Sequence, residues 1–195
     1  MKLAKDSAAW ISVPIFLMAA LAVVGNWYIS AVALAGTIFM LFFHRDPDRL
    51  PRGDGMVSPA DGRIIQATKD GVIIFMGPSD VHVNRAPLDG IVRKTEYKKG
   101  GHFPAFLCQA TNNQQNRIDL ETADGIVELR QITGAIVREI ICYVRPGDRV
   151  VRGERVGMIR FGSRVEVSIP ESYDLQISLG DKVKAGETII AVRSA

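Results

Sequence analysis

The segment between Trp10 and Phe43 contains no charged residue, and this constrains the fold of the chain more than any other feature. A single straight helix over the segment would be about 50 Å long, whereas the hydrocarbon core of a bilayer is roughly 30 Å thick. Gly25-Asn26 lies in its middle and offers a natural break. Because each half is shorter than the ~20 residues of a comfortable span, we expect a tight helical hairpin.

The charges around this segment favour a membrane anchor formed by residues 1–45. Basic residues flank it on both sides, with Lys2 and Lys5 before it and Arg45, Arg49 and Arg52 after it. Positive charge on both flanks predicts that both ends of the hairpin lie on the cytoplasmic side of the cell membrane. The segment is too long for a cleaved signal peptide.

The rest of the chain has the composition of one globular domain. A chain of 195 residues can hold a domain of roughly 150 residues plus an appendage. The net charge of +3, without a long basic run, gives no indication of nucleic-acid binding. Cys108 and Cys142 lie in apolar sequence and are expected to be reduced, buried thiols. The scattered histidines and carboxylates predict no metal site.

Short runs rich in valine and isoleucine, separated by glycines, indicate that residues 46–195 are mainly β. No convincing amphipathic helix follows Leu41. The runs that predict strands are residues 62–68, 71–76, 90–97, 125–133, 135–144, 155–161, 164–170, 174–178 and 187–192.

An internal repeat suggests how these strands are arranged. Residues 146–159 and 179–192 share the pattern Gly-Asp-x-Val-x-x-Gly-Glu. The pattern is similar to the half-units of biotinyl- and lipoyl-type domains, so we expect a barrel-sandwich-like fold; two unrelated hairpins with common turn residues are the alternative. Lys182 and Lys184 lie inside the repeat rather than at a hairpin tip, which speaks against a carrier role.

Gly162-Ser163, between two strand-like runs, has the chemistry for self-cleavage. The serine hydroxyl can attack the Gly162 carbonyl and form an ester when a base takes its proton. Glycine at the attacked carbonyl removes a hindering Cβ and permits unusual backbone angles. β-Elimination of the ester would leave dehydroalanine at position 163, which hydrolyses to a pyruvoyl group and ammonia. A Gly-Ser pair alone is more often an ordinary turn, so the interpretation depends on context.

That context is a resemblance to the short, membrane-associated form of the phosphatidylserine decarboxylase family, which includes archaetidylserine decarboxylases. It runs from about His44 to Val192, and the matching segments keep the order and spacing of the family. They are FFHRDPDR, SPADGRI, DVHVNRAPLDGIV, NNQQNR, ITGAIVREIICYV and GMIRFGSRVEVSIP.

The resemblance implies that residues 46–195 are a pyruvoyl-dependent decarboxylase domain, self-cleaved between Gly162 and Ser163. The cofactor would be the pyruvoyl group derived from Ser163, an electron sink for the loss of carbon dioxide. The implied reaction converts phosphatidylserine to phosphatidylethanolamine. The implied partners are a phospholipid in the membrane, the protein's own α and β chains and a second copy in a homodimer.

The resemblance also assigns catalytic residues beside Ser163. Asp61 matches the family aspartate that pairs with histidine in self-cleavage, although an Asp-Gly pair alone would indicate a turn. His82 matches the family base, although a lone histidine in a strand is usually structural. The period of two in residues 80–84 puts Asp80, His82 and Asn84 on one face.

One departure from the family concerns the histidines. Longer members have a second histidine three positions after the first, where this chain has Arg85. His82 would therefore serve both self-cleavage and decarboxylation, with His102 as the alternative base. His44, at the end of the anchor, is expected to face lipid headgroups.

The phosphodiester and carboxylate of the substrate need hydrogen-bond donors. Arg85, Asn113 and Arg117 are the candidates, since arginine suits bidentate contact with such groups. The NNQQNR segment that contains two of them is equally compatible with a solvated polar loop.

Three functional hypotheses follow from the sequence. The first is decarboxylation of phosphatidylserine, and the second is the same reaction on the archaeal ether lipid archaetidylserine, which has the same headgroup. The third is a non-catalytic, membrane-tethered barrel-sandwich adaptor. The segments SPADG, HVNR and FGS separate the first two from the third, because an adaptor has no use for all three.

Overall fold

The computed structural model describes residues 2–135, 137 and 139–194, except for the side chain of Cys108. Its internal contacts divide the chain into two units, Met1–Asp48 and Arg49–Ala195.

The N-terminal unit is a pair of helices, α1 (Ala8–Val23) and α2 (Trp27–Phe43). Gly25, with φ of +75°, lies in the turn between them. The side chain of Asn26 caps α2 by accepting a hydrogen bond from the amide of Ile29. Leu3 and Arg45 form an antiparallel bridge, so the chain returns to its starting point after α2.

The helical hairpin does not by itself establish a membrane anchor. Among the helices in the described part of the chain, none is long and apolar enough to cross a membrane. His44, expected to face headgroups, is instead buried within this unit. Its ring lies 5.3 Å from that of Phe43 between centroids, and its Nδ1 lies 2.9 Å from the carbonyl oxygen of Met40. That expectation was wrong because the end of α2 packs against its own unit.

The C-terminal unit is mainly β, as predicted. Its described part consists of short strands and one 3₁₀ helix, Cys108–Asn112. The strands are β1 Met56–Val57, β2 Gly62–Thr68, β3 Gly71–Met76, β4 Val83–Arg85, β5 Gly90–Lys98, β6 Gln115–Thr122, β7 Gly125–Thr133, β8 Glu139–Cys142, β9 Arg149–Val150, β10 Arg155–Arg160, β11 Ser163–Ser168, β12 Tyr173–Leu175, β13 Lys182–Val183 and β14 Ile189–Arg193.

These strands form one large sheet and two small ones, all with antiparallel pairing. The large sheet has the order β13-β2-β3-β11-β7-β6-β5-β9, and the small sheets have the orders β1-β14-β12 and β4-β10-β8. One face of the large sheet packs on the core, which includes Ile74, Ile118, Leu129 and Val165. Cys142, predicted to be buried, is a free and only half-buried thiol.

The sequence repeat is a structural repeat. In one copy, the backbone amide of Gly180 donates to the carbonyl of Ile64. The backbone amide of Ile64 donates in turn to the carbonyl of Asp181. In the other copy, the amide of Gly147 donates to the carbonyl of Val92, and the amide of Val92 donates to the carbonyl of Asp148. The unrelated-hairpin alternative does not account for this equivalence.

The repeat extends to two earlier segments that the sequence analysis did not connect, residues 58–62 and 86–90. Asp61 accepts a hydrogen bond from the amide of Ala185 at 2.8 Å, and Asp89 accepts one from the amide of Arg152 at 2.6 Å. The fold therefore has a structural use for an aspartate at both positions, so any further role of Asp61 must rest on contacts that Asp89 does not share.

Candidate functional site

The Gly162-Ser163 bond lies where the chain passes from one sheet to another. β10 belongs to a small sheet and β11 to the large one. Phe161 and Gly162, which connect them, both have left-handed backbone conformations, with φ of +58° and +63°. Glycine adopts this conformation freely, whereas for Phe161 it costs about 1–2 kcal/mol of conformational free energy. Backbone strain is therefore stored directly before the Gly162-Ser163 bond.

Ser163 is completely buried, and its side chain lies on the core face of the large sheet. It is paired with Met76 on β3 and with Thr133 on β7. Its hydroxyl donates to the Met76 sulfur at 3.4 Å. A thioether is a weak acceptor, so the Ser163 proton is only weakly held.

Gly134, directly after β7, leaves room for the Gly162 carbonyl. A Cβ at position 134 would lie 1.9 Å from the Gly162 oxygen, a distance that no real contact allows. A Cβ at Gly162 itself would meet no atom within 4 Å, so glycine is needed there for its backbone conformation. The two glycines thus serve the same peptide bond in different ways.

A chain of buried amides leads from the sheet to Ser163. Asn116 donates to Gln131 at 2.9 Å, and Gln131 donates to Asn84 at 2.8 Å. The Asn84 amide nitrogen in turn lies 3.8 Å from the Met76 sulfur that also contacts Ser163. The sequence analysis placed Asn84 on the face of His82 but assigned no role to any of these amides.

His82 lies immediately before β4, the neighbour of the strand that leads to Ser163. The strand predicted over 80–84 is shorter and begins later in the structure, which has β4 at Val83–Arg85, so the prediction that His82 lies in the strand was wrong. His82 is completely buried, and its carbonyl accepts a hydrogen bond from the amide of Ile159 on β10. Its Nδ1 lies 2.9 Å from the Asp80 carbonyl oxygen. Because a carbonyl accepts only, the proton is on Nδ1 and the basic lone pair is on Nε2.

Asp61 differs from Asp89 in its other partners. Its carboxylate forms a bidentate ion pair with Arg49, one bond of which is 2.8 Å long, and both side chains are buried. It also accepts a hydrogen bond from the amide of Val81 at 3.3 Å. Since Val81 adjoins His82, the Asp61 carboxylate fixes the backbone beside the imidazole; its direct pairing with the ring stays a prediction.

The three candidate substrate ligands lie in different surroundings. Arg85 is buried and donates to the Gly153 carbonyl at 2.8 Å. Asn113 is buried, and its amide bonds the backbone of Phe103 and the carbonyl of Thr133. Asn113 thus lies next to Thr133, the residue paired with Ser163 in the sheet. Arg85 instead contacts Gly153, in a turn of the sequence repeat.

Arg117 lies on the other face of the large sheet. Asn116 points to the core and bonds Gln131, so the next residue along β6 points outward. Arg117 forms ion pairs with Asp119 at 2.6 Å and Glu128 at 2.8 Å. Its hydrogen bond with Asp119 raises the pKa of Arg117 above the ordinary value. The structure does not bring Arg117 and Ser163 together.

The polar segment 112–117 is not a solvated loop, since β6 begins at Gln115. His102, the alternative base, is exposed in the connection before this segment.

Comparison with known proteins gives the family. The model of the phosphatidylserine decarboxylase family matches residues 37–191. A protein of Methanococcoides burtonii with the provisional name archaetidylserine decarboxylase proenzyme is 42% identical, over 97% of this chain and 95% of the relative. A Streptomyces avermitilis protein named phosphatidylserine decarboxylase proenzyme is also 42% identical, over 97% and 93% of the two chains. The chain belongs to the phosphatidylserine decarboxylase family.

Proposed function

We propose that this protein is a proenzyme that cuts itself between Gly162 and Ser163 and then decarboxylates phosphatidylserine or archaetidylserine. The observation that carries the proposal is the buried Ser163 after two left-handed residues, in a chain of this family. The names of the relatives in Methanococcoides and Streptomyces support the lipid substrate and the proenzyme state.

Self-cleavage would convert one peptide bond and one water molecule into two chain ends and ammonia. Ser163 Oγ attacks the Gly162 carbonyl carbon, the C–N bond breaks, and the nitrogen of residue 163 takes a proton. Loss of the Cα proton then expels the Gly162 carboxylate and leaves dehydroalanine at position 163. Water hydrolyses this enamine, through its imine tautomer, to the pyruvoyl group and releases ammonia. The strain at Phe161 favours the first step, because cleavage releases it.

His82 is the base that we propose for removing the hydroxyl proton of Ser163. Its neutral tautomer leaves Nε2 as the acceptor, and its backbone is fixed by β10 and by the Asp61–Val81 bond. Asp61 would fix the backbone beside the imidazole through the Val81 amide, and its negative charge would stabilise the charged form of the ring. His82 would later donate a proton to the decarboxylated product, since position 85 has no histidine.

The surroundings of Ser163 fit a pyruvoyl group at this position. Ser163 and Asn84 are both buried, and Asn84 supplies an amide donor beside the same thioether. When present, the group would supply the electron sink for loss of carbon dioxide. Asn113 lies beside Thr133, the strand partner of Ser163, but both hydrogens and the oxygen of its amide are already bonded to Phe103 and Thr133. Arg85 and Arg117 would have to leave their present partners to reach a headgroup.

We also propose that the helical hairpin attaches the protein to the cytoplasmic side of the cell membrane. Large apolar side chains cover its exposed surface, including Phe16, Trp27, Tyr28 and Val32. Such a surface is unusual for a protein that contacts only water, and a hairpin can enter one leaflet without crossing the bilayer. The homodimer implied by the resemblance stays a prediction.

The mass of the intact protein, purified with lipid or detergent, tests the proposal. We expect two chains, residues 1–162 and a fragment 163–195 that is lighter by one ammonia than its sequence. Vesicles of phosphatidylserine and of archaetidylserine, assayed in parallel for release of carbon dioxide, would identify the substrate. A single uncut chain without decarboxylation of either lipid would refute the proposal and favour the adaptor.

Gly134→Ala should block self-cleavage while leaving the serine and the histidine in place. The new methyl group would displace the Gly162 carbonyl, and a misplacement of about 1 Å can cost about 100-fold in rate. The rate is measured as the fraction of cut chain against time after synthesis in a cell-free system.

Gly36→Ala is the matched control, because a Cβ there would meet no atom within 4 Å. Thermal unfolding of both variants separates a slow reaction from a failure to fold. Cutting of a folded Gly134→Ala protein at the control rate would contradict the role assigned to Gly134.

A further inference from the structure

The connection between β5 and β6 exposes large apolar side chains beside the candidate site. We define residues 99–112 as the aromatic loop. Phe103, Phe106 and Leu107 are 45%, 61% and 37% exposed, respectively. Three such side chains within five positions give the loop an exposed apolar tip.

The base of the aromatic loop is fixed to the elements around Ser163. The Asn113 side chain bonds both backbone groups of Phe103 and also the Thr133 carbonyl. Thr133 is paired with Ser163 in the sheet. Arg164, the next residue, donates to the Leu107 carbonyl at 3.1 Å. The loop is thus hydrogen-bonded to both strands of the pair that contains Ser163, to β7 through Thr133 and to β11 through Arg164.

A second contact orients the tip. The ring of Phe106 packs edge-on against Phe75, with 6.0 Å between centroids, and Phe75 is paired with Arg164 on β11. Phe106 nevertheless stays mostly exposed, so this contact directs the ring without covering it. Ala105, between the exposed phenylalanines, is buried and holds the middle of the loop against the domain.

The segment that forms the loop carries only positive charge, although Glu96 precedes it and Glu166 pairs with Arg164. No acidic residue occurs from position 97 to position 118. Lys98, Lys99 and His102 are exposed next to the apolar tip. Aromatic and aliphatic tips flanked by lysines are typical of segments that enter the headgroup region of an anionic bilayer.

We propose that the aromatic loop docks on the surface of an anionic bilayer. Phe103, Phe106 and Leu107 enter the boundary between headgroups and acyl chains, and Lys98 and Lys99 contact lipid phosphates. The docked loop brings the strand pair of Thr133 and Ser163 to the membrane surface, where the headgroup of a lipid substrate is found. The docking itself does not depend on the proposed function. Only the statement that it brings Ser163 to a lipid substrate rests on that function.

A single tryptophan in the loop tests the docking. In the full chain, Trp10→Phe and Trp27→Phe remove both natural tryptophans, and Phe106→Trp adds one in the loop. The vesicles contain phosphatidylglycerol and a phosphatidylcholine brominated near the carbonyl end of its acyl chains. We expect bromine to quench the tryptophan of the Phe106→Trp variant.

The matched control is Ile126→Trp in the same background. Ile126 is exposed and apolar, and it lies at the opposite end of β7 from Thr133, about 20 Å away. We expect no quenching there. Lys98→Glu with Lys99→Glu should reduce the quenching in the loop, and Lys69→Glu, on the exposed β2–β3 turn, should not.

Equal quenching at both positions, or none at either, overturns the proposal; absence at both would favour a protein as the partner of the loop. The decarboxylation assay is independent of this readout. Quenching confined to the loop in a protein that decarboxylates neither lipid would support the docking and refute the proposed activity. Decarboxylation without quenching in the loop would support the proposed activity and refute the docking.

Discussion

The Ser163→Ala variant is expected to remain a single uncut chain with no decarboxylase activity. Alanine has no hydroxyl to attack the Gly162 carbonyl, and it has no oxygen that elimination could expel. The lost hydrogen bond to the Met76 sulfur is a weak one, so the free energy of unfolding should fall by about 1 kcal/mol or less. The effect on cutting should therefore be complete while the fold stays intact.

Two measurements check this result. Intact mass distinguishes the uncut chain from the two products, and a carbonyl-reactive hydrazide should label fragment 163–195 of the natural protein only. Ser168→Ala, on the same strand, is the control, because Ser168 bonds the amide of Glu128 and has no proposed part in the reaction. A Ser163→Ala protein that still separates into chains 1–162 and 163–195 would show that the cut does not depend on this hydroxyl.

The sequence was sufficient to predict the longer strands whose residues are apolar, but it missed the two-residue β1 and the strand whose core face is polar. β2, β3, β5 and β7 were predicted from runs of valine and isoleucine, and the structure confirms them. β6 was missed because its first core-facing residue is Asn116, which bonds Gln131 instead of packing on apolar side chains. The sequence does not distinguish a buried asparagine or glutamine from a solvated one. Only the pairing of β6 with β7 shows that Asn116 and Gln131 are buried.

The site shows the same limit at longer range. Gly162 and Ser163 were selected for their chemistry, and His82 and Asp61 for their match to the family motifs. The Arg49–Asp61 ion pair was not predicted, since it joins two segments through a contact with the turn at Ala185. The role of Gly134 was equally hidden, because it depends on the position of a carbonyl on another strand.

The structural repeat allows the function of Asp61 to be separated from its place in the fold. Asp61→Asn and Asp89→Asn both keep a side-chain oxygen for the repeat hydrogen bond, from Ala185 and Arg152 respectively. We expect Asp89→Asn to cut itself like the natural protein. Asp61→Asn should cut about 100-fold more slowly, because the amide keeps one oxygen for Ala185 but presents its NH₂ group to the Val81 amide and so displaces the backbone beside His82.

Loss of the ion pair has to be excluded as the cause. Removing one partner of a buried pair typically costs about 3–5 kcal/mol, and Asp61→Asn leaves Arg49 with Glu187, at 3.5 Å, as its remaining acidic partner in the described contacts. Arg49→Gln breaks the same pair but keeps the Asp61 carboxylate. We therefore expect both variants to unfold at lower urea concentration, and only Asp61→Asn to lose self-cleavage.

The comparison of the three variants decides among three functions for one carboxylate. If Asp61 served only the turn, Asp61→Asn would match Asp89→Asn in cutting rate. If it served only to neutralise Arg49, Asp61→Asn and Arg49→Gln would slow cutting to the same extent. Only a role beside His82 separates Asp61→Asn from both, because Asp61 alone of the two repeat aspartates accepts the amide of Val81, the residue before the imidazole.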